Sequence, residues 1–490
     1  MKKQFTISLL ASSLIISSAF AESSSSDRFE KIEKEMSALK TEVNILKTEN
    51  SKLSSKLVSS TSSNGDNLKW GVDFRTSVDS INYKMANGTT QSNDALLSNR
   101  LWLNMSYEAS ENVKFGGQLA YNKLFGQRTM INPQSAAMDS FDWVSSENKQ
   151  DDTLRVRSAY IDYMNDTFFG MDVPWSFGIG RRPSNNGKLI SYREDDDATS
   201  PLAHISNAEF DGGNIKFKLA SVTGLEGSSF KFATGRGMSN AEARFSATPY
   251  SDASSNDTGN INMYAFNLVP YKSSKLSVEF QYTHASNLID IKNAGFDQFG
   301  AFNPASYNPA MEKVGALELA SAFVSFNGIG SGISDYLDNT IVFVSGAMSK
   351  TDPDSAKAML GSMDSENGYS YWIGTQMPSL ISEKGKWGIE FNHGSKYWRS
   401  FTYAEDTAIG SKVAARGDVY EVYFTEPLVD SLSFQVRYTY IDYDYTGSNG
   451  FFGSQSGTPM KISDLPASTD IAGVVVDKAQ DIRVYLRYKF

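Results

Sequence analysis

The last nine residues, Ile482-Arg-Val-Tyr-Leu-Arg-Tyr-Lys-Phe490, constrain this chain more than any other segment. Strand side chains alternate with period two, so Ile482, Val484, Leu486, Tyr488 and Phe490 share one face. Arg483, Tyr485, Arg487 and Lys489 share the other. An apolar row ending in two aromatics, backed by a cationic row, suits a strand with hydrocarbon on one side and water on the other. Past the N-terminal leader no apolar run is long enough for a membrane helix, and a chain spans a bilayer without helices only as a closed barrel.

The leader itself reads as a secretory signal over residues 1–21. Lys2 and Lys3 precede an apolar stretch from Ile7 to Phe20, and Ala19-Phe-Ala21 supplies a small-residue cleavage site. A membrane anchor in its place would need a longer stretch with less serine. Cleavage removes two lysines and no acids, taking the formal charge from -10 to -12. Cysteine is absent, which excludes disulfides and thiol chemistry in an exported chain and leaves stability to the hydrogen-bonded sheet.

Residues 27–58 carry a heptad seam. Phe29, Met36, Val43, Asn50 and Leu57 fall at position a, with Ile32, Leu39, Leu46 and Leu53 at d. About four heptads hold this register, with Glu and Lys on the flanks. At ~1.5 Å per residue the helix is roughly 40 Å long. So narrow a stripe calls for identical partners, in a dimer or trimer, rather than a broad packing surface such as the barrel or membrane would need. Asn50 at an a position fixes register at some cost in stability. A polar linker follows over 59–67.

From Leu68 onward alternation dominates. Leu68, Trp70, Val72, Phe74 and Val78 oppose Lys69, Asp73, Arg75, Ser77 and Asp79, and later segments repeat the pattern. The expected strands lie at 68–83, 97–109, 112–125, 153–164, 174–182, 202–210, 213–222, 260–270, 274–287, 315–328, 338–349, 369–378, 384–397, 412–426, 430–445 and 479–490. The predicted fold is therefore all-β: a transmembrane antiparallel barrel over 68–490 with about 16 strands, in a range of 14–18, preceded by a short α-helical coiled coil. Short turns, such as 110–112, 211–214 and 427–431, alternate with long loops near 126–152, 183–201, 223–259 and 446–478, as in an up-and-down outer-membrane barrel. Aromatics at 12% and charges at 21% of the chain fit strands of which half the residues face water. A soluble sandwich leaves the aromatic C-terminus without a purpose.

The closing strand resembles that of bacterial outer-membrane barrels, whose last residue is commonly Phe. Trp387-Gly-Ile-Glu-Phe-Asn-His-Gly-Ser-Lys-Tyr-Trp398, Ala415-Arg-Gly-Asp-Val-Tyr-Glu421, Tyr440-Ile-Asp-Tyr-Asp-Tyr-Thr-Gly447 and Phe177-Gly-Ile-Gly-Arg-Arg-Pro183 resemble a family of uncharacterised outer-membrane proteins with an N-terminal coiled coil and a porin-like barrel. The resemblance implies a Gram-negative outer membrane, a coiled coil in the periplasm, and neighbours comprising lipid, lipopolysaccharide and the barrel-assembly machinery. In architecture the chain also resembles general porins, which implies a homotrimer and a third external loop folded into the lumen. That loop carries Arg181 and Arg182, then Glu194, Asp195, Asp196 and Asp197. Opposite them, Arg75, Arg100, Lys114, Arg437, Arg483 and Arg487 face inward on strands that neighbour one another once the barrel closes. Crossed charge of this kind orients solutes and sets ion preference. The competing reading is a solvated external loop, with the arginines paired to Asp73, Glu108 and Glu421.

The expected function is a porin, a water-filled channel for passive diffusion of small hydrophilic solutes or ions, and not an enzyme. Two alternatives carry features of their own. His393 and Ser395 stand at i and i+2 on one strand, as in outer-membrane phospholipases, where the two form a base–nucleophile pair; Lys396-Tyr-Trp398 replaces the Asn-Gly-Arg that follows the serine there, and no third member is evident. The coiled coil allows a structural role, tethering the barrel to peptidoglycan. No metal site, cofactor motif or nucleic-acid surface is indicated, and the acidic balance opposes the last.

Overall fold

The computed structural model describes residues 68–126, 153–182, 186–239, 241, 259–296, 301–330, 332–402, 405–453 and 455–490. The expected signal sequence (1–21), coiled coil (27–58) and linker (59–67) lie outside the described residues.

Sixteen antiparallel strands close into a barrel. They are β1 (Leu68–Met85), β2 (Thr90–Glu108), β3 (Val113–Leu124), β4 (Arg155–Asn165), β5 (Trp175–Arg181), β8 (Asp211–Lys218), β9 (Ser229–Met238) and β10 (Ile261–Lys272), followed by β11 (Leu276–Asn293), β12 (Asn308–Asn327), β13 (Ile341–Pro353), β14 (Asn367–Pro378), β15 (Lys386–Gly394), β16 (Gly417–Val429), β17 (Leu432–Tyr443) and β18 (Val476–Lys489). Two short strands, β6 (Gly187–Lys188) and β7 (Ser200–Leu202), pair in parallel apart from the barrel wall. Closure joins β18 to β1, with Phe74 opposite Tyr488 and Val78 opposite Val484. Phe490 and Val72 exchange both main-chain hydrogen bonds at 2.9 Å. A closed ladder leaves no strand edge in hydrocarbon, which is why a chain of moderate hydropathy can span a bilayer.

The C-terminal alternation is realised as two faces. Leu486 is 52% exposed on the outer wall, whereas Arg483 and Arg487 are buried inside. The outer belt continues through Ile389, Val422, Val436 and Ile482, with aromatics such as Tyr371, Tyr420 and Tyr438 among them. Leu68 and Phe490, the two ends of the barrel, and the short connections, including 109–112, 273–275 and 430–431, share one end, the periplasmic end in outer-membrane barrels.

The interior is filled on one side. Ile205 and Ala208 from the connection 182–210, Trp398 and Phe401 from 395–416, and Phe451 and Phe452 from 444–475 pack against Met263, Leu288, Leu317 and Leu319 of the wall. A second apolar cluster joins Leu189, Ile190, Leu202 and Ala203 to Phe323, Phe343, Trp372 and Val413. These connections are thus parts of the core rather than surface loops. Burying each large apolar side chain contributes about 1.5–3 kcal/mol.

Two sequence expectations are corrected. Residues 202–210 form no barrel strand, because Leu202 to Glu209 are buried without alternation where they cross the lumen. The stretch expected as a loop over 223–259 contains β9, whose Phe230 and Phe232 face outward while Lys231 faces inward. Consistently, the expected turn at 211–214 is the start of β8. The two errors offset each other, so the count of sixteen stands.

Candidate functional site: a lumen partitioned by two inward loops

The third external loop, residues 182–210, leaves β5 at Gly180, whose φ of +132° and whose approach of 2.3 Å between a would-be Cβ and the Ala159 carbonyl exclude a larger residue. Beyond it α1 (Ile190–Glu194) makes a single helical turn. Leu189 precedes it at φ 85° and Asp195 ends it at φ 51°. A leucine at positive φ is strained, and it is held there by full burial among Phe323, Phe343 and Trp372. The Tyr192 ring stacks on Phe343 at 5.1 Å, and Gln376 and Gln435 donate to the carbonyls of Tyr192 and Arg193, each at 2.7 Å.

This anchoring places Glu194 among the arginines of the wall. Its carboxylate lies 3.3 Å from Arg437 and 3.8 Å from Arg75, and 3.1 Å from neighbouring Arg193. Arg487 donates to the Glu194 carbonyl at 3.0 Å. Burial opposes ionisation here, but the guanidinium groups of Arg193, Arg437, Arg75 and Arg100 outweigh it and hold the carboxyl well below the usual carboxylate range. Asp196 pairs with Arg487 at 2.7 Å and Lys489 at 2.6 Å, and Asp195 pairs with Lys386 at 2.5 Å. Asp197 makes no ion pair among the described residues and is exposed.

The seventh external loop, residues 395–416, supplies acids that the sequence reading did not single out. Asp406 engages Arg75, Arg483 and, at 2.9 Å, Arg100. Glu405 meets Arg193 at 3.0 Å. Lys412 bridges Glu390 at 2.7 Å and Glu421 at 2.5 Å. Wall acids complete the network: Asp73 binds Arg487 at 2.5 Å and Arg100 at 3.3 Å, and Asp79 binds Arg483. The arginine row of β1, β2, β17 and β18 therefore clamps two loops and is buried, rather than facing free water. Lys114 stands apart near the periplasmic rim, 4.0 Å from Glu108. Arg181 binds Glu209 at 2.6 Å, tying the end of the third loop to its start, and Arg182 binds Asp162.

Arg399 and Arg416 fix the seventh loop to the eighth through main-chain carbonyls. Arg399 donates to Ser448 at 2.6 Å, and Arg416 to Thr446 at 2.8 Å and Gly457 at 2.7 Å. Burial pulls Arg416 down to about 9. His204 sits in the same interior between the hydroxyls of Ser345 and Ser370, at 2.8 and 2.9 Å. Burial pushes its imidazole down to about 3, so it is neutral at physiological pH.

Space remains on the opposite side, between the third loop and the inner faces of β8 to β12. This cavity holds about 760 Å³. Its lining includes Arg182, Lys188, Lys216, Lys218, Lys231 and Lys272 against Asp196, Asp197 and Glu279. A smaller space of about 350 Å³ under α1 shares Asp196 and Asp197 with it. Toward the external side it continues into a gap of about 60 Å³ that shares Arg182, Asn214, Lys231 and Asn267. Phe230-Lys231-Phe232 was the available sequence signal for this wall.

The hydrolase constellation does not assemble. His393 Nδ1 lies 2.7 Å from Asp418 and its ring stacks on Tyr371, while the Ser395 hydroxyl accepts from the Tyr369 N–H at 2.9 Å. No hydrogen bond joins His393 to Ser395.

A closed sixteen-strand barrel with an apolar outer belt, a charged lumen and an inward third loop defines an outer-membrane β-barrel of the porin type. Residues 90–490 match the family model described as "Protein of unknown function (DUF3373)", and the chain belongs to that family. Similar solved structures include OmpT (in-vitro folded), an outer membrane protein of Vibrio cholerae, at 12% identity and TM-score 0.45, covering 87% of this chain and 99% of that one. The anion-selective porin from Comamonas acidovorans follows at 10% identity and TM-score 0.46, covering 86% and 99%. Salmonella typhi OmpF in complex with daunomycin is 12% identical at TM-score 0.44, covering 87% and 98%. Comparison with curated proteins finds no match.

Proposed function

We propose that this protein is a diffusion channel for small hydrophilic solutes or ions, its conduit confined by the third and seventh loops to the side of the barrel formed by β8 to β12. The observation that carries this reading is the charged cavity of about 760 Å³ between the third loop and that wall. Hydrated ions enter such a space without the wall rearranging, and its charges offset their desolvation. A gap of about 60 Å³ shares Arg182, Asn214, Lys231 and Asn267 with this cavity, and the loops that fill the other side of the lumen should keep conductance small for a sixteen-strand barrel.

Residues 1–21 serve as the export signal and 27–58 as a periplasmic coiled coil joined by 59–67. The a/d seam supports a homo-oligomer, taken as a trimer, and a helix of this length offers a reach toward peptidoglycan. Lipid, lipopolysaccharide and the barrel-assembly machinery are the expected partners of the outer wall and of the closing row Ile482, Val484, Leu486, Tyr488 and Phe490. Planar-bilayer recording of the purified native oligomer tests the reading: stepwise openings, in triplets for a trimer, support it. Silent protein that remains heat-modifiable on gels refutes an open channel.

A further inference from the structure

Four lysines of the cavity make no contact ion pair among the described residues. Lys216 and Lys218 on β8, Lys231 on β9 and Lys272 on β10 all line it, and none makes an ion pair there. Lys216 and Lys231 are directly opposite each other in the ladder. Facing like charges at this separation are unfavourable in a sheet, and the next strand offers Asn267 rather than an acid to Lys231. Asn267 donates to Glu279 at 2.9 Å, and Lys188 of the third loop holds the other oxygen of Glu279 at 2.6 Å. The acid of this wall is thereby already engaged, and Asp196 is occupied by Arg487 and Lys489. Among the described acids that line the cavity, Asp197 is the one without an ion pair of its own, and Glu279 and Asp162 act on this lysine cluster only from beyond contact distance. A chain of formal charge -10 thus concentrates unneutralised cations on one wall of its water-accessible space. Low-dielectric walls focus such a field and raise local counterion concentration.

We propose that this cavity is a binding step for small oxyanions, with the Lys216–Lys231 pair as its centre and Lys272 flanking it, so that the channel favours anions. The inference rests on the diffusion-channel reading for its route but not for its site. An oxyanion with two or more charged oxygens accepts from both ammonium groups at once and relieves their repulsion. Inorganic phosphate and pyrophosphate are the simplest probes. The Ser277, Ser229 and Asn214 side chains around the cavity add neutral polar groups of the kind that solvate such an ion.

Two measurements on the full-length native protein decide it. In bilayers under a tenfold KCl gradient, the reversal potential should take the sign of chloride, with anions favoured by roughly threefold or more, and millimolar pyrophosphate should block the current. K216Q/K231Q should bring the permeability ratio to about one or below and abolish block, whereas K216R/K231R should keep both. Independently of current, pyrophosphate should slow acylation of Lys231 in detergent, read by peptide mass spectrometry, without slowing that of Lys461. Open channels that pass potassium and chloride equally, with no pyrophosphate effect on current or acylation, overturn the site and leave the channel standing. Silent protein whose Lys231 is still protected keeps the site and removes the channel. Equal protection of Lys231 and Lys461 reduces the effect to general ion screening and overturns the proposal.

Discussion

Replacing Glu194 by Gln tests whether buried charge, rather than apolar packing alone, holds the third loop against the wall. The substitution keeps size and removes the carboxylate that Arg193, Arg437 and Arg75 share at 3.1, 3.3 and 3.8 Å. Breaking a buried pair by removing one partner typically costs about 3–5 kcal/mol, because the remaining charge is left uncompensated. Asp406, Asp73 and Glu405 still neutralise part of the arginine cluster, which places the expected loss near the lower figure. The loop also buries Leu189, Ile190 and Leu202, so it should remain docked on average but open more often. A loss of about 3 kcal/mol corresponds to a little over a hundredfold increase in transient opening. Amide hydrogen exchange over residues 189–205 reads that ratio directly, and single-channel noise should rise with it. D197N serves as control, since Asp197 has no ion pair among the described residues. Exchange in E194Q within fivefold of the native rate would show that the charge cluster contributes little to docking and would refute the reasoning.

Acidification should loosen the same loop through His204. Its imidazole is held at about 3 by burial against an ordinary ~6.5, so the docked state binds the proton less readily than the released one. Docking stability is complete above pH ~6.5 and is lost as pH falls toward 3, by about 2 kcal/mol at pH 5; H204Q should flatten the pH dependence of exchange over that window. Glu194 acts at a lower range: its depressed carboxyl supports docking above the ordinary ~4.3 and loses that contribution only well beneath it. K412M removes the cation that Glu390 and Glu421 share, leaving Glu421 with Arg193 at 3.5 Å and Glu390 without an ion pair among the described residues, and should release the seventh loop to proteolysis at a cost of about 3 kcal/mol, with E390Q in the same chain restoring part of it. Deleting Phe490 removes both of its hydrogen bonds to Val72 and should lower the yield of heat-modifiable barrel in outer membranes without abolishing it.

The barrel was legible because its signal is local. Alternation in Leu432 to Tyr443 or Ile482 to Phe490 needs only the next residue but one, and a strand that faces lipid on one side and charge on the other states its own orientation. Length-two periodicity failed where the chain leaves the wall. His204-Ile205-Ser206-Asn207 mixes apolar and polar residues as a strand does, yet it crosses a protein-filled lumen and is buried on every side. β9 was hidden by Gly235 and Gly237, which look like loop residues but lie in the strand. The sequence pointed to the acids at 194–197 and to the arginine row separately. What it held no signal for was Glu405 and Asp406, because the seventh loop meets Arg75 across 331 residues of chain.

That missing contact changes how the charge of the lumen is counted. Taken from sequence, four acids on one loop facing six basic residues suggest a transverse field in the middle of an open pore. In the folded chain the loop leans on the basic wall itself, and Glu194, Asp196 and Asp406 are paired with Arg437, Arg487, Arg75 and Arg100 at contact distance. Opposite charges in contact produce little field a Debye length of about 8 Å away. The field in the remaining space is set by the side chains without a contact ion pair among the described residues, namely Lys216, Lys218, Lys231 and Lys272 against the single acid Asp197. On the diffusion-channel reading proposed above, the side of the barrel on which the third loop rests decides which charges meet the water: had it packed against β8 to β10, the arginines of β1 and β18 would line the space and the lysines would be the clamp. Ion preference in a barrel of this kind follows from which charges the loops leave unpaired, a quantity fixed by tertiary contacts and not by the composition of the lumen.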